Sequence, residues 1–324
     1  MTVLVTGAAG FIGSHVCHHL LDRGDTVVGI DDLNAYYDPA LKDARLERLR
    51  CRNGFSFLKG DIADTGALAD AVRGREIIKV VHLAAQAGVR YSLENPRAYV
   101  RSNLDGHLEI LELCRGLGTV EHLVYASSSS VYGGNEKVPF SEDDPVDHPV
   151  SLYAATKKAD ELMSHAYSHL YGIPQTGLRY FTVYGPWGRP DMAYWLFTEA
   201  MLKGKPIRVF NDGNMWRDFT YVDDIVRGTV AALDHPPQAN GGAPHRIYNI
   251  GHNKPERLGT FIDILEEVLG VKAVREYEPM QPGDVPRTYA DIGAIERDLG
   301  FRPQVSLREG LTRFAEWYRG YVKI

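Results

Sequence analysis

The sequence predicts an α/β protein built on a doubly wound parallel sheet, with a smaller C-terminal α/β lobe. Three observations lead there. Short apolar runs rich in β-formers alternate with helical patterns through the first half, a glycine-rich turn joins the first run to the first helix, and the alternation loosens after about Pro186.

Strands are expected at 3–6 (VLVT), 26–31 (TVVGID), 55–61 (FSFLKGD), 77–84 (IIKVVHLA) and 122–128 (HLVYASS). Apolar residues occupy consecutive positions in most of these, as a strand covered on both faces requires. Helical patterns fill the intervals at 12–23, 40–50, 65–73 and 96–117. A longer helix from Ser151 to about Tyr171 leads into a strand at 175–180, so the sheet continues past the midpoint. Right-handed crossovers place these helices on both faces. Beyond Pro186, further helices are expected near 191–203, 222–235, 257–270 and 305–321. Residues 1–186 are therefore assigned to the first domain and 187–324 to the smaller lobe, with the chain free to cross back.

With 324 residues the chain can bury a sizeable core, and 44% hydrophobic residues suit a globular protein. The formal charge of −6, from 36 basic and 42 acidic residues, gives no general attraction to nucleic acid or anionic lipid. The opening MTVLVTGAAGFIG has no basic segment ahead of its apolar one, so it reads as a strand and not as a signal peptide or membrane span. A cytoplasmic location is expected. Cys17, Cys51 and Cys114 are scattered without metal-ligand spacing, so neither a disulfide framework nor a metal site is expected.

Gly7, Gly10 and Gly13, with Phe11 and Ile12 between them, stand where a strand passes into a helix. There a pyrophosphate rests on free backbone N–H groups, and glycines permit the close approach. The fold is then a Rossmann-like dinucleotide-binding one. Asp31 and Asp32 end the second strand, where a carboxylate accepts from the adenosine ribose hydroxyls and repels a 2′-phosphate, so NAD is favoured over NADP. Asp61 and Ile62, after the third strand, are placed to border the adenine, and Ala84 and Ala85, after the fourth, complete the candidate cofactor surface.

Tyr153 and Lys157, four residues apart, share one face of the 151–171 helix. The helix follows the hydroxyl run Ser127 to Ser130 at the end of a strand. A phenol ionises near pH 10, so a tyrosine base at neutral pH needs its anion stabilised by roughly 4 kcal/mol. An ammonium and an oxidised nicotinamide ring supply such a field.

TGAAGFIG, the Tyr153/Lys157 pair with an upstream serine, and RYFTVYGP together resemble the extended short-chain dehydrogenase/reductase family, over essentially the whole chain. The family's branches include nucleotide-sugar epimerases, dehydratases and decarboxylases. The resemblance assigns the triad hydroxyl to Ser128, three residues before Val131-Tyr132-Gly133, and leaves Ser129 and Ser130 as sugar contacts. It also implies a homodimer in which the helices near 96–117 and 151–171 pair as a four-helix bundle.

Dehydratases of that family carry an acid and a base after the triad hydroxyl. Ser129 and Ser130 stand there instead, so elimination is disfavoured. LAAQAGVRYS around Arg90, RYFTVYGPWGRPDM with Thr182 and Arg189, and MQPGDVP from Met280 are similar to the UDP-glucuronate 4-epimerase subgroup. Physically, a sugar carboxylate calls for a hydroxyl donor and a guanidinium, which Thr182 with Arg189 or Arg90 would provide at about 1.5–3 kcal/mol per charge-assisted bond. The same resemblance assigns Arg217 to the diphosphate and the strand ending in Phe210 to the uracil, with Arg287 as an optional second phosphate contact. NAD-dependent 4-epimerisation of a UDP-hexuronic acid is the expected reaction. Decarboxylation of the same substrate and 4-epimerisation of UDP-glucose or UDP-galactose remain the alternatives. A nucleotide sensor on this scaffold would not need the Tyr/Lys pair, and a simple dehydrogenase would consume NAD.

Overall fold

The computed structural model describes residues 1–281 and 284–323. The first half runs β1 (Thr2–Thr6), α1 (Phe11–Asp22), β2 (Thr26–Asp31), α2 (Pro39–Arg50), β3 (Phe55–Lys59), α3 (Thr65–Val72) and β4 (Lys79–His82). Two short helices, α4 (Tyr91–Glu94) and α5 (Pro96–Tyr99), lead through a wide turn to α6 (Gly106–Leu117), β5 (His122–Ser128), α7 (Leu152–Tyr171) and β6 (Gln175–Tyr180). Next come β7 (Thr182–Tyr184), α8 (Ala193–Leu202), β8 (Ile207–Phe210), β9 (Trp216–Tyr221), α9 (Val222–Asp234) and β10 (His245–Ile250). The chain finishes with β11 (Pro255–Arg257), α10 (Leu258–Leu269), β12 (Arg275–Glu278), α11 (Gly293–Leu299) and α12 (Leu307–Val322).

Seven parallel strands form the main sheet in the order β10-β6-β5-β4-β1-β2-β3. Strand order reverses between β1 and β4, and a crevice opens beyond the strand ends at such a switch point. The unbroken apolar runs of the sequence follow from cover on both faces. Val3 and Val5 of β1 enter the core with α1 and α9, while Leu4 enters the opposite core with Ile110 and Leu111 of α6. Each such side chain contributes about 1.5–3 kcal/mol by leaving water.

The division expected at residue 186 does not follow the sheets. Thr182–Tyr184 already pairs with β9 in a three-stranded sheet, whereas α9 packs on α1 and β10 becomes the edge of the large sheet beside β6. The helix expected over 96–117 is present throughout but is not a uniform α-helix: Val100–Asp105 is a π-helical turn. The wider turn brings Asn103 inward, where its side chain accepts from Gln86 N at 2.8 Å and donates to Gln86 O and Thr156 Oγ1 at 3.1 and 3.0 Å.

Arg45 on α2 is fully buried, and all five of its N–H donors are engaged. One terminal nitrogen donates to Ala9 O at 3.0 Å and to the Tyr37 hydroxyl at 2.7 Å. Nε and the other terminal nitrogen donate to Trp187 O at 2.9 and 2.6 Å, and the latter also to Gly188 O at 2.8 Å. The turn after β1 and the 185–192 loop are thus held by one side chain.

Candidate active site

A cavity of about 480 Å³ lies at the switch point. Its wall includes Gly7, Gly10, Phe11, Ile12, Gly13, Asp31 and Asp32 on one side, Asp61, Ile62, Ala84 and Ala85 beside them, and Ser128, Ser129, Ser130, Tyr153, Lys157, Thr182 and Arg189 at the far end. Residues spread over most of the chain thus meet in a volume suited to a small-molecule ligand.

The glycines are required by close approach. A Cβ on Gly7, whose φ is +70°, would stand 2.8 Å from Ala84 N, and one on Gly13 would stand 2.1 Å from Gly7 O. Gly10 caps α1 without a side-chain hydrogen bond, so the first amides of that helix are left for a ligand, unlike those of α7, where Ser151 Oγ accepts from Ala154 N at 3.1 Å. Asp31 is buried, accepts from Ala9 N at 3.1 Å and Leu33 N at 2.9 Å, and keeps a lone pair on each oxygen. Burial pushes its carboxyl above the usual carboxylate range, against the pull of Lys42, whose Nζ lies 3.8 Å away. Asp32 accepts from Asn34 N and Nδ2 at 3.0 and 2.9 Å. Asp61 is paired with Arg101 at 2.8 Å, and Ile62 is buried next to it. These features fit a dinucleotide whose pyrophosphate lies on the glycine turn and whose ribose reaches Asp31.

Lys157 is buried and donates to Ala126 O at 2.9 Å and Asp160 Oδ2 at 3.0 Å, which leaves its third N–H for the cavity. Ser128 Oγ accepts from Ser130 N at 3.2 Å and donates to Ser130 Oγ at 3.1 Å, so the serine turn is held by its own hydroxyls. The ring of Tyr153 meets that of Tyr99 edge-on at 6.0 Å. Beneath the serines, Glu161 is gripped by Arg179 at 2.8 and 2.9 Å and by Ser127 at 2.7 Å, which fixes α7 to β5 and β6.

The predicted arginines are placed unequally. Arg189 lines the cavity and forms a two-point pair with Asp191, and Tyr36 donates at 3.0 Å to Oδ2 of that carboxylate, the oxygen that also accepts from the Arg189 terminal nitrogen. Burial opposes its charge, but Asp191, Tyr36 and Tyr153 hold the guanidinium above its usual range. Arg90, Phe210 and Arg217 are not part of the cavity wall. They border it through Asp284, which does line it: Arg90 pairs with Asp284 at 2.8 Å and lies 4.7 Å over the Phe210 ring. Burial draws Arg217 below the usual guanidinium range, with Asp284 pulling it back, and its side chain donates to Trp216 O at 2.9 Å. Arg287 is exposed over the Trp216 ring at 5.8 Å, beside a second cavity of about 440 Å³. Of the MQPGDVP motif, Pro282 and Gly283 lie outside the described residues.

Sequence reasoning missed Lys42, Tyr36, Arg45, Asp160 and Asp191. Lys42, Arg45 and Asp160 are charged residues inside helices, which read as solvated surface until the closing of the fold buries them, whereas Tyr36 and Asp191 lie in turns and are joined only by the approach of two distant loops. Cys17 and Cys114 are buried and Cys51 exposed, all three as free thiols. Among the described residues no helix is long and apolar enough to cross a membrane.

The profile of the NAD dependent epimerase/dehydratase family matches residues 3–251. UDP-glucuronate 4-epimerase 4 of Arabidopsis thaliana is 50% identical over 332 residues, which cover 99% of this chain and 76% of that one. A probable UDP-glucuronate 4-epimerase of Rhizobium meliloti is 48% identical, with 98% and 97% of the two chains covered. Among solved structures, the UDP-glucuronic acid 4-epimerase of Bacillus cereus in complex with UDP-glucuronic acid and NAD superposes with a TM-score of 0.91, at 38% identity over 99% of this chain and all of that one.

Proposed function

From the premise that the chain belongs to the NAD dependent epimerase/dehydratase family, we propose that it is a UDP-glucuronate 4-epimerase. The single observation that carries this is the joining, in one cavity, of a dinucleotide-shaped glycine turn, the Tyr153/Lys157 pair and a hydroxyl-lined end at Ser128, Ser129, Ser130 and Thr182.

Bound NAD supplies a hydride acceptor that becomes the donor for the return step. Tyr153 accepts the proton of the C4 hydroxyl and later gives it back, with Ser128 holding the same oxygen. Lys157, anchored below, keeps a positive field beside the phenol and has one N–H to offer the cofactor ribose. The serine turn offers no acid or base able to expel the C6 substituent, as expected for a site that returns the sugar intact.

A 4-keto uronic acid is a β-keto acid and loses carbon dioxide when the breaking bond overlaps the carbonyl π system. Holding the carboxylate near the plane of that carbonyl denies the overlap. Thr182, Ser129 and Ser130 are the donors we assign to this hold, and Arg189, closed by Asp191, forms the wall behind them. Asp284, Arg90, Arg217 and Phe210 are assigned to the uridine diphosphate.

Exposed Leu108, Leu162, Leu170 and Tyr171 on α6 and α7 support a homodimer through a four-helix bundle. A cytoplasmic location, with free thiols in a reducing compartment, completes the reading. The deciding experiment offers UDP-glucuronate to the purified protein and follows the sugar by NMR. UDP-galacturonate is expected; a pentose product or an unchanged sugar overturns the proposal.

A further inference from the structure

The face of α7 beneath the catalytic pair carries a group that the reaction as described does not use. Asp160 is wholly buried three residues beyond Lys157, with Oδ2 accepting from the ammonium at 3.0 Å and Oδ1 without any hydrogen-bond partner among the described residues. A carboxylate so placed is costly unless it is paired or protonated, and the Lys157 ammonium is the partner it has.

The other titratable groups around it are already spoken for. On α7 itself, Glu161 is taken up by Arg179 of β6. His107 of α6, His82 of β4 and His245 of β10 are held neutral by burial, and burial keeps the Tyr125 phenol of β5 protonated. Lys157 is thus the cation that Asp160 faces. Burial lifts the Asp160 carboxyl to about 7, even against the opposing pull of Lys157.

We propose that Asp160 is a positioning residue that anchors Lys157 and, by its own charge, meters the positive field Lys157 exerts on Tyr153. This rests on the epimerase reading for its use in turnover. When Asp160 is neutral, the whole ammonium charge favours the phenolate; when it ionises, the pair is partly compensated and the phenol holds its proton more firmly. The carboxyl gives up its proton to solvent, and no covalent bond changes.

The test needs no substrate. Protein loaded with NAD is titrated by near-ultraviolet phenolate absorbance, with Tyr153→Phe as the blank. In Asp160→Asn, which keeps an acceptor for Lys157 but no charge, the Tyr153 midpoint is expected to fall by about one pH unit. An unchanged midpoint overturns the proposal. Asp160→Ala is expected to show the same downward shift and, its anchor lost, to hold NAD about tenfold more weakly; NAD affinity equal to wild type overturns the anchoring role. Should neither variant fold, the wild-type curve decides: Asp160 ionising in the same range spreads it beyond the width of a single proton, and a one-site curve overturns the proposal. Failure of the epimerase reading would show separately, in the NMR product experiment.

Discussion

Arg189 meets Asp191 side-on, Nε to Oδ1 at 3.0 Å and a terminal nitrogen to Oδ2 at 2.5 Å, with the Tyr36 hydroxyl 3.0 Å from the same carboxylate. The guanidinium that the sequence offered as a ligand for the sugar carboxylate is therefore already neutralised from within its own loop. Hydroxyl groups are left to hold that carboxylate.

Thr182→Val removes one of those hydroxyls at nearly constant volume. The loss of a bond to a charged group, about 1.5–3 kcal/mol, should lower kcat/KM for UDP-glucuronate by about 10- to 150-fold. It should also release part of the product as pentose, since the carboxylate is freer to leave the ring plane. NMR of the product mixture measures both.

Tyr153→Phe keeps the ring that packs on Tyr99 and removes only the oxygen. Turnover is expected to fall by at least about 10²-fold, the usual worth of a positioned acid/base. UDP-sugar and NAD affinities, measured by calorimetry, should stay within about threefold of wild type.

The protein should lose stability steeply in mild acid. Burial lowers His15, His122 and His245 to about 4, and burial with Lys157 lowers His82 to about 3. Their folded values lie below the unfolded value of about 6.5, so the unfolded chain binds protons first as pH falls. Their contribution is complete above about pH 6.5 and declines toward pH 4, by about 1.4 kcal/mol per pH unit for each group. Carboxyls raised by burial, Asp160, Asp31 and Asp218 among them, work in the opposite sense, while His18 and His107, also lowered by burial, add to the loss. Calorimetry at pH 7 and pH 5 should show Tm lower by at least about 10 °C at pH 5.

Leu162 and Leu170 are 59% and 67% exposed on α7. Leu162→Glu with Leu170→Glu should halve the solution mass measured by light scattering and leave the fold, read by circular dichroism, intact. A protein that is monomeric from the start would disprove the assigned dimer.

What the sequence made legible is what repeats along the chain. The β1 run, the glycine turn and Asp31 follow one another in a local order that physics reads directly, and Tyr153 with Lys157 needed helical spacing together with the hydroxyl run before their helix and the glycine turn upstream. β10 escaped because its inner half alone is buried, so HRIYNI lacks a continuous apolar signature. The π-helical turn escaped because its cause, Asn103 bonding to Gln86 and Thr156, lies in residues distant in sequence. Arg90, expected at the sugar carboxylate, stands off the cavity wall and pairs with Asp284, a partner 194 positions later that local sequence could not announce.

The five-donor grip of Arg45 bears on how this enzyme can be re-engineered. Apart from the one to the Tyr37 hydroxyl, its hydrogen bonds go to backbone carbonyls of Ala9, Trp187 and Gly188, so in the 185–192 loop they constrain the path of the chain and not the identity of its side chains. A specificity loop grafted from a relative would therefore be accepted with new side chains, provided it retraced that path. A loop even one residue longer would strand a buried cation and loosen the cofactor turn from afar, so that a chimaera made to change the sugar would first be noticed as a protein that sheds its NAD.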